Sequence, residues 1–381
     1  MGKKKLIVIW PYRFRDFDWQ RFELDYLKPH VEIYVHELMD ALTPEFGAAY
    51  ANQSENPAVK RFASLKEWRK EFKKISEGAV VFNHVRPTEL KLALICMTIK
   101  LSRAKIVGFS SGAGPAYVKQ GHRGVILRLL VNLYHFFKRT SFALIAPDTI
   151  MTEGSYAILN VKRDYSQKVR LVAGNSFDFS TILRSIRRDD LGDIESVFLD
   201  TGFPGFLRDE LLSGKPERVK ASEWYPNLVK FFDFVETNVG LKTIIASHPK
   251  HDGRDHSEFF GARKVVGGQT LSLVRSSQLV IATNSTSISF AVAFSKPLIL
   301  VTCDAIEQAQ QPKKFEIRSC SSETGARIFN IDREYTEQDL REAMVIDHAK
   351  YESYKRKYLT SRTDGKPNYQ VLLDEVIFAE D

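Results

Sequence analysis

The side chains best suited to chemistry lie between Lys242 and Pro297. Two short apolar runs there, Thr243–Ala246 and Gln278–Thr283, read as β-strands, and each ends in a polar cluster. The first cluster is Ser247-His248-Pro249-Lys250; the second is Asn284-Ser285-Thr286-Ser287, which opens a helical stretch. Proline fixes its own φ and keeps the preceding residue extended, so Pro249 aims the His248 imidazole at a defined place. An imidazole so held can donate a hydrogen bond to a phosphate or carboxylate. Hydroxyls and N–H groups at a helix start also suit phosphate. Ser285 stands 37 residues beyond His248 (285 minus 248), room for one βα unit, which predicts adjacent parallel strands carrying both clusters to one edge. Ligands of parallel α/β sheets bind beyond the carboxyl ends of the strands. The chemistry these types suggest is the holding of a nucleotide-linked substrate.

A carboxylate for proton transfer is sought near the same edge. Asp200 ends the run Ser196–Asp200 and begins the loop TGFPG, where it can act as a base or shape a turn. Asp16-Phe17-Asp18 is a literal DxD, a pattern able to hold a divalent cation. It follows the first strand without a diphosphate-binding context, so no metal is expected. Arg13 and Arg15 beside it could contact an anionic ligand. Lys250, His251 and Arg254 bring further positive charge, and Gly174–Asp178 is a turn after a strand-like run.

The elements that must position these residues alternate. Leu6–Trp10, Val31–His36, Gly78–Val85 and Lys105–Ser110 read as strands in the first half. Leu65–Ile75 is a helix with Leu65, Trp68 and Phe72 on one face, and Pro87–Leu101 is another with proline in its first turn. In the second half, Ala221–Asn238 is helical, and Lys264–Val266 and Pro297–Thr302 add strands. Thr336 with Asp339 three residues later caps a helix over Glu337–Val345, and a last helix runs around His348–Tyr358. Strands separated by helices imply parallel βαβ units. The charge-dense stretch Ile182–Asp193 marks a boundary. The expectation is α/β: two facing Rossmann-like domains with a central cleft, residues 1–190 on the acceptor side and 191–345 on the donor side, then C-terminal helices over 346–381.

Composition narrows the partners. The 381 residues carry a net charge of +8, which fits an anionic small molecule or an acidic membrane surface. There is no aromatic-plus-basic RNA motif and no zinc-finger spacing, so nucleic acid is not expected. The three scattered cysteines suggest reduced thiols in the cytoplasm. No run approaches the roughly 20 apolar residues of a membrane span, and Leu6–Trp10 is too short for a signal peptide. Val125–Phe137, flanked by Arg123, Lys138 and Arg139, reads as a core helix or as a basic segment resting peripherally on an anionic inner membrane.

His248-Pro249 followed by the Ser/Thr cluster is similar to motifs of bacterial sialyltransferases and capsule polysialyltransferases, enzymes of the two-domain GT-B glycosyltransferase fold. The runs IVIWPYRFRDFDWQRFELDYL, LDTGFPG, IIASHPK and QTLSLVRSSQLVIATNSTSISFAVAFSKPLILV also resemble a group of capsule and O-antigen biosynthesis proteins. The likeness covers the first ~40 residues and most of the second half. It implies an inverting, metal-independent transferase with no cofactor. Its donor would be a CMP-linked nonulosonic acid (sialic, pseudaminic or legionaminic type) or Kdo. Its acceptor would be a bacterial surface glycan or lipid-linked glycan. It implies that His248, Ser285, Thr286 and Ser287 hold the nucleotide phosphate, with Pro249, Lys250 and Asn284 beside them and Gln269 and Thr270 adding contacts. Asp16, Asp18, His84 and Arg13 fall on the acceptor side. The acidic motif that supplies the base in sialyltransferases is absent in that form, which leaves Asp200 as first choice. The alternatives are a CDP-glycerol or other polyol-phosphate transferase, a UDP-GlcNAc epimerase-like enzyme, and a non-catalytic binding protein of glycan assembly.

Overall fold

Apolar runs such as Leu6–Ile9 and Leu298–Val301, buried along their whole length, require cover on both faces, the condition of parallel sheets. The computed structural model describes residues 3–44, 54–87, 89–110, 114–115, 143–165, 169–185, 194–204, 219–248, 257–308 and 312–379. The chain divides into two units, one from residues 1–112, 120–183 and 360–381, the other from 113–119 and 184–359. Val125–Phe137, Pro249, Lys250, His251 and Arg254 lie outside the described residues.

The first unit holds β1 (Lys4–Trp10), β2 (Val31–Glu37), β3 (Val59–Arg61), β4 (Val80–Asn83), β5 (Lys105–Ser110), β6 (Thr149–Thr152) and β7 (Arg170–Ala173). Their order is β3-β2-β1-β4-β5-β6-β7, and every pair is parallel. The expected helix Leu65–Ile75 forms with those bounds. The Ser64 side chain accepts from the Glu67 N–H at its start, and Trp68 and Phe72 stack at 5.3 Å as its buried stripe.

The second unit holds β8 (Ile194–Leu199), β9 (Thr243–Ser247), β10 (Val265–Gly267), β11 (Ser277–Ala282), β12 (Leu298–Thr302) and β13 (Arg327–Asn330). Their order is β10-β9-β8-β11-β12-β13, again all parallel. The helix Ala221–Val239 buries Trp224, Leu228, Phe231, Phe232 and Val235 and stops at Gly240, whose φ of 72° is the left-handed cap that glycine takes without strain. The Thr336–Asp339 capping box is formed.

The C-terminal residues do not stand apart. His348–Tyr354 packs in the second unit, where the Tyr351 hydroxyl donates to the Lys296 carbonyl at 2.8 Å. From Thr360 onward the chain belongs to the first unit. There Asn368 Oδ1 accepts from the Asn175 N–H at 2.9 Å, and Asn368 Nδ2 donates to the Asn175 carbonyl at 2.9 Å. The turn at Gly174–Asp178 therefore serves to hold the C-terminal segment. Ser180 Oγ, accepting from Asn368 N–H and donating to the buried Glu23, completes this anchor. Among the described residues, no helix is long and apolar enough to cross a membrane.

Candidate functional site

In each sheet the chain order reverses once. In the second unit, β8, β9 and β10 run outward on one side, and β11, β12 and β13 on the other. The crevice at this switch point lies beyond the carboxyl ends of β8 and β11, the place where open α/β sheets bind ligands. Register brings Leu199 opposite Ala282, so Asp200 and Thr201 emerge beside Thr283 and Asn284. The Thr201 and Thr283 hydroxyl oxygens stand 3.4 Å apart. Asp200 is buried, and its Oδ1 accepts from the Gly202 N–H at 2.9 Å. That bond closes an Asx turn whose third residue, Gly202, has a φ of 73°.

The Ser285–Ser287 turn follows directly. Ser285 Oγ accepts from the Ser287 N–H at 3.2 Å, and the Thr286 side chain is exposed. The helix after it, Ile288–Ala293, is only six residues long. The cluster's capacity for an anion therefore rests on its hydroxyls rather than on a helix end.

A helix that the sequence reading missed borders the same crevice. Pro312–Thr324 carries Lys313 and Glu316 three residues apart, hence on one face. Lys313 Nζ lies 2.9 Å from the Phe203 ring centroid, and the Phe203 ring meets Trp224 edge-on at 5.4 Å. Glu316 Oε2 accepts from Asn284 Nδ2 at 2.5 Å. The first turn of this helix thus touches both loops of the switch point. Thr201, Phe203, Thr283, Lys313 and Glu316 join the site, and the proline opening a helix was the available sequence signal for it.

The two expected phosphate clusters are not on neighbouring strands. β8 lies between β9, which ends beside His248, and β11, which ends beside Asn284. Two strand spacings separate them, about 10 Å. The reason is topological: β8 enters before both and takes the central position. His248 is half-buried on the shared edge. Exposed Gln269 and half-buried Thr270 follow β10, one strand further out. Asp200, Thr201, Thr283, Asn284 and Ser285 are brought together; His248, Gln269 and Thr270 extend the row along the edge.

The first unit has its own switch point between β1 and β4, lined by Trp10 and His84. The His84 ring stacks on Phe109 at 4.9 Å and 8°, lies 4.5 Å from Phe22, and meets Trp10 edge-on at 5.2 Å. Its Nε2 is buried without a hydrogen-bond partner among the described residues. Burial first, then Arg21 and Arg86, push its pKa down to about 3, so the ring is neutral. A base this weak is far from the pKa that suits general-base catalysis near neutrality.

Arg13 is buried and committed. It donates to Glu37 Oε1 at 2.5 Å and to Asp40 Oδ1 at 2.8 Å. Glu37 also accepts from the Phe14 N–H at 2.9 Å. The Arg13 charge therefore pins the loop after β1 rather than meeting a ligand. Asp18 is likewise turned inward; it accepts from the Arg15 N–H at 3.0 Å, and burial raises its pKa against the pull of Arg15. Asp16 instead accepts from Ser54 Oγ at 2.6 Å. The two carboxylates of the DxD thus have separate partners, and the described residues contain no group of three His, Cys, Asp or Glu placed for a metal ion. The three cysteines are buried as free thiols, and burial pushes Cys303 up to about 11 and Cys320 to about 12.

No protein-family model and no curated protein matches the chain. Solved structures do. The wall teichoic acid polymerase TagF, soaked with CDPG, is similar at TM-scores of 0.54 and 0.51 in two soaks, with 10% and 11% identity, covering 97% and 98% of this chain and 88% of that one. The UDP-GlcNAc 2-epimerase of Methanocaldococcus jannaschii, in complex with UDP-GlcNAc and UDP, is similar at a TM-score of 0.49 and 14% identity, over 97% of this chain and 98% of that one. The likeness to TagF, with the two parallel α/β units, shows a fold of the GT-B type.

Proposed function

We propose that the protein is a GT-B-type transferase whose second unit binds a cytidine-nucleotide donor at the β8/β11 switch point. The observation that carries this reading is the convergence there of Asp200, the Thr201 and Thr283 hydroxyls, and the Ser285–Ser287 turn. The hydroxyls, Lys313 and His248 meet the donor phosphate and stabilise the leaving nucleotide as its bond to the sugar breaks. Asp200, oriented by its turn, takes the proton of the attacking hydroxyl. The sequence likeness to sialyltransferases supports a CMP-linked nonulosonic acid or Kdo as donor and a surface glycan as acceptor. In the first unit, the aromatic group of Trp10, His84 and Phe109 offers apolar ring faces suited to a sugar. No metal or cofactor takes part in this reading. The free cysteines support work in the cytoplasm, and the basic composition supports a peripheral place at an anionic inner membrane.

A second reading has one specific observation in its favour, the likeness to TagF, a structure holding CDPG. In a CDP-alcohol transferase the phosphate moves with the alcohol, and CMP leaves. A thermal-shift panel of CMP, CDP, UDP and GDP, with and without EDTA, tests the shared claim, since a ligand of the native state must raise its melting point. A cytidine-selective rise that survives EDTA is expected. Phosphorus in the product then separates the two donors, and a preference for UDP would favour an epimerase-like enzyme instead.

A further inference from the structure

Asn284 is the residue of the crevice whose orientation is fixed by chemistry. Its amide has one donor end and one acceptor end, and Glu316 as a carboxylate only accepts. The 2.5 Å contact therefore assigns Nδ2 to the Glu316 side and turns Oδ1 the other way. That oxygen is buried, and no described residue donates to it. A buried carbonyl oxygen without a partner is a costly arrangement that native structures rarely keep unless something else completes it.

Its place in the fold says where the completing group comes from. Asn284 follows β11 at the switch point, one residue past the Thr283 hydroxyl and one before Ser285. A phosphate at pH 7 offers oxygens, which are acceptors, so it would repel Oδ1 rather than satisfy it. A ribose hydroxyl or a base amino group offers the missing donor. We infer that Asn284, held by Glu316 as its positioning residue, accepts a hydrogen bond from the nucleoside of the bound nucleotide and does not contact its phosphate. This rests on the nucleotide-binding reading given above. It divides the polar cluster: Ser285, Thr286 and Ser287 serve the phosphate, and Asn284 serves the nucleoside. Specificity follows, because a site with a fixed buried acceptor penalises any ligand that leaves it unpaired.

The test is calorimetric titration of CMP and of inorganic pyrophosphate into the wild-type protein and the variants Asn284→Ala and Glu316→Gln. Asn284→Ala should weaken CMP roughly tenfold and leave pyrophosphate within about twofold. In Glu316→Gln the glutamine amide can donate, so Asn284 can turn its oxygen toward residue 316; CMP should weaken in the same direction with pyrophosphate unchanged. Glu316 is exposed, so this variant keeps the test sound if Asn284→Ala loses stability. Equal weakening of both ligands by Asn284→Ala, or unchanged CMP affinity in both variants, would overturn the inference while leaving nucleotide binding intact. Wild-type protein that binds no nucleotide would bring down the inference and the functional reading together.

Discussion

Asp200 Oδ1 accepts from the Gly202 N–H at 2.9 Å, and this bond sets the direction in which the loop leaves β8. The same side chain is thus both a turn former and the proposed base. The two duties separate by substitution. Asparagine keeps the acceptor oxygen and the turn but cannot take a proton. Asp200→Asn should therefore melt with the wild type, bind CMP as well, and lose about 10²- to 10⁴-fold in kcat. Asp200→Ala should also lose roughly 1–3 kcal/mol of stability by stranding the buried Gly202 N–H. Turnover by Asp200→Asn near that of the wild type would reduce Asp200 to its turn.

Lys313 sets its ammonium against Phe203 in the loop after β8. If it meets the donor phosphate, Lys313→Ala should weaken CMP and pyrophosphate alike, by roughly tenfold, and the loss should shrink as salt is raised. Titration at two ionic strengths checks this. A salt-independent or absent effect would confine Lys313 to its contact with Phe203.

The Arg13–Glu37 pair predicts a stability effect rather than a binding effect. Removing Arg13 takes the 2.5 Å partner from the buried Glu37 carboxylate and leaves it the Phe14 N–H and the Arg61 guanidinium at 3.6 Å. Breaking a buried pair typically costs about 3–5 kcal/mol, and with those partners kept the loss should fall toward the lower end of that range. Arg13→Ala should show that loss in denaturant unfolding, with nucleotide affinity unchanged for whatever protein remains folded.

His36 makes stability depend on pH in a defined direction. It is buried between Phe62 and Phe72, and burial lowers its pKa to about 4 despite the nearby Glu71, with Lys60 adding to the depression. The unfolded chain binds the proton near pH 6.5 and the native state does not, so stability is full above that pH and falls as the pH drops toward 4. The slope from this one group is about 1.4 kcal/mol per pH unit. Melting curves of His36→Leu should be correspondingly flatter over that window; an unchanged slope would mean that the ring is protonated in the folded protein.

Much of this architecture can be read from local patterns. Leu65–Ile75 announces itself by its apolar stripe and by Ser64 with Glu67, and the Thr336–Asp339 box by its spacing. Both signals are carried within a few residues. β3 and β13, at three and four residues, are too short to show a period. Long-range facts are less accessible still. Nothing local says that β8 separates β9 from β11, or that Arg13 finds its partner 24 residues away in Glu37. Asp200 and the Asn284–Ser287 cluster were legible because they follow apolar strands. Glu316 was not, because its importance lies in which atom of Asn284 it holds.

The central claim is that the β8/β11 switch point binds a cytidine nucleotide. The most direct measurement is the affinity of CMP, CDP, UDP and GDP for the wild-type protein and for Ser285→Ala/Thr286→Ala, by titration calorimetry in the presence of EDTA. The account predicts selective cytidine-nucleotide binding that falls about tenfold or more in the double variant while its melting temperature holds. Equal affinity of wild type and double variant for CMP, or binding of UDP or GDP in preference to both cytidine nucleotides, would contradict it.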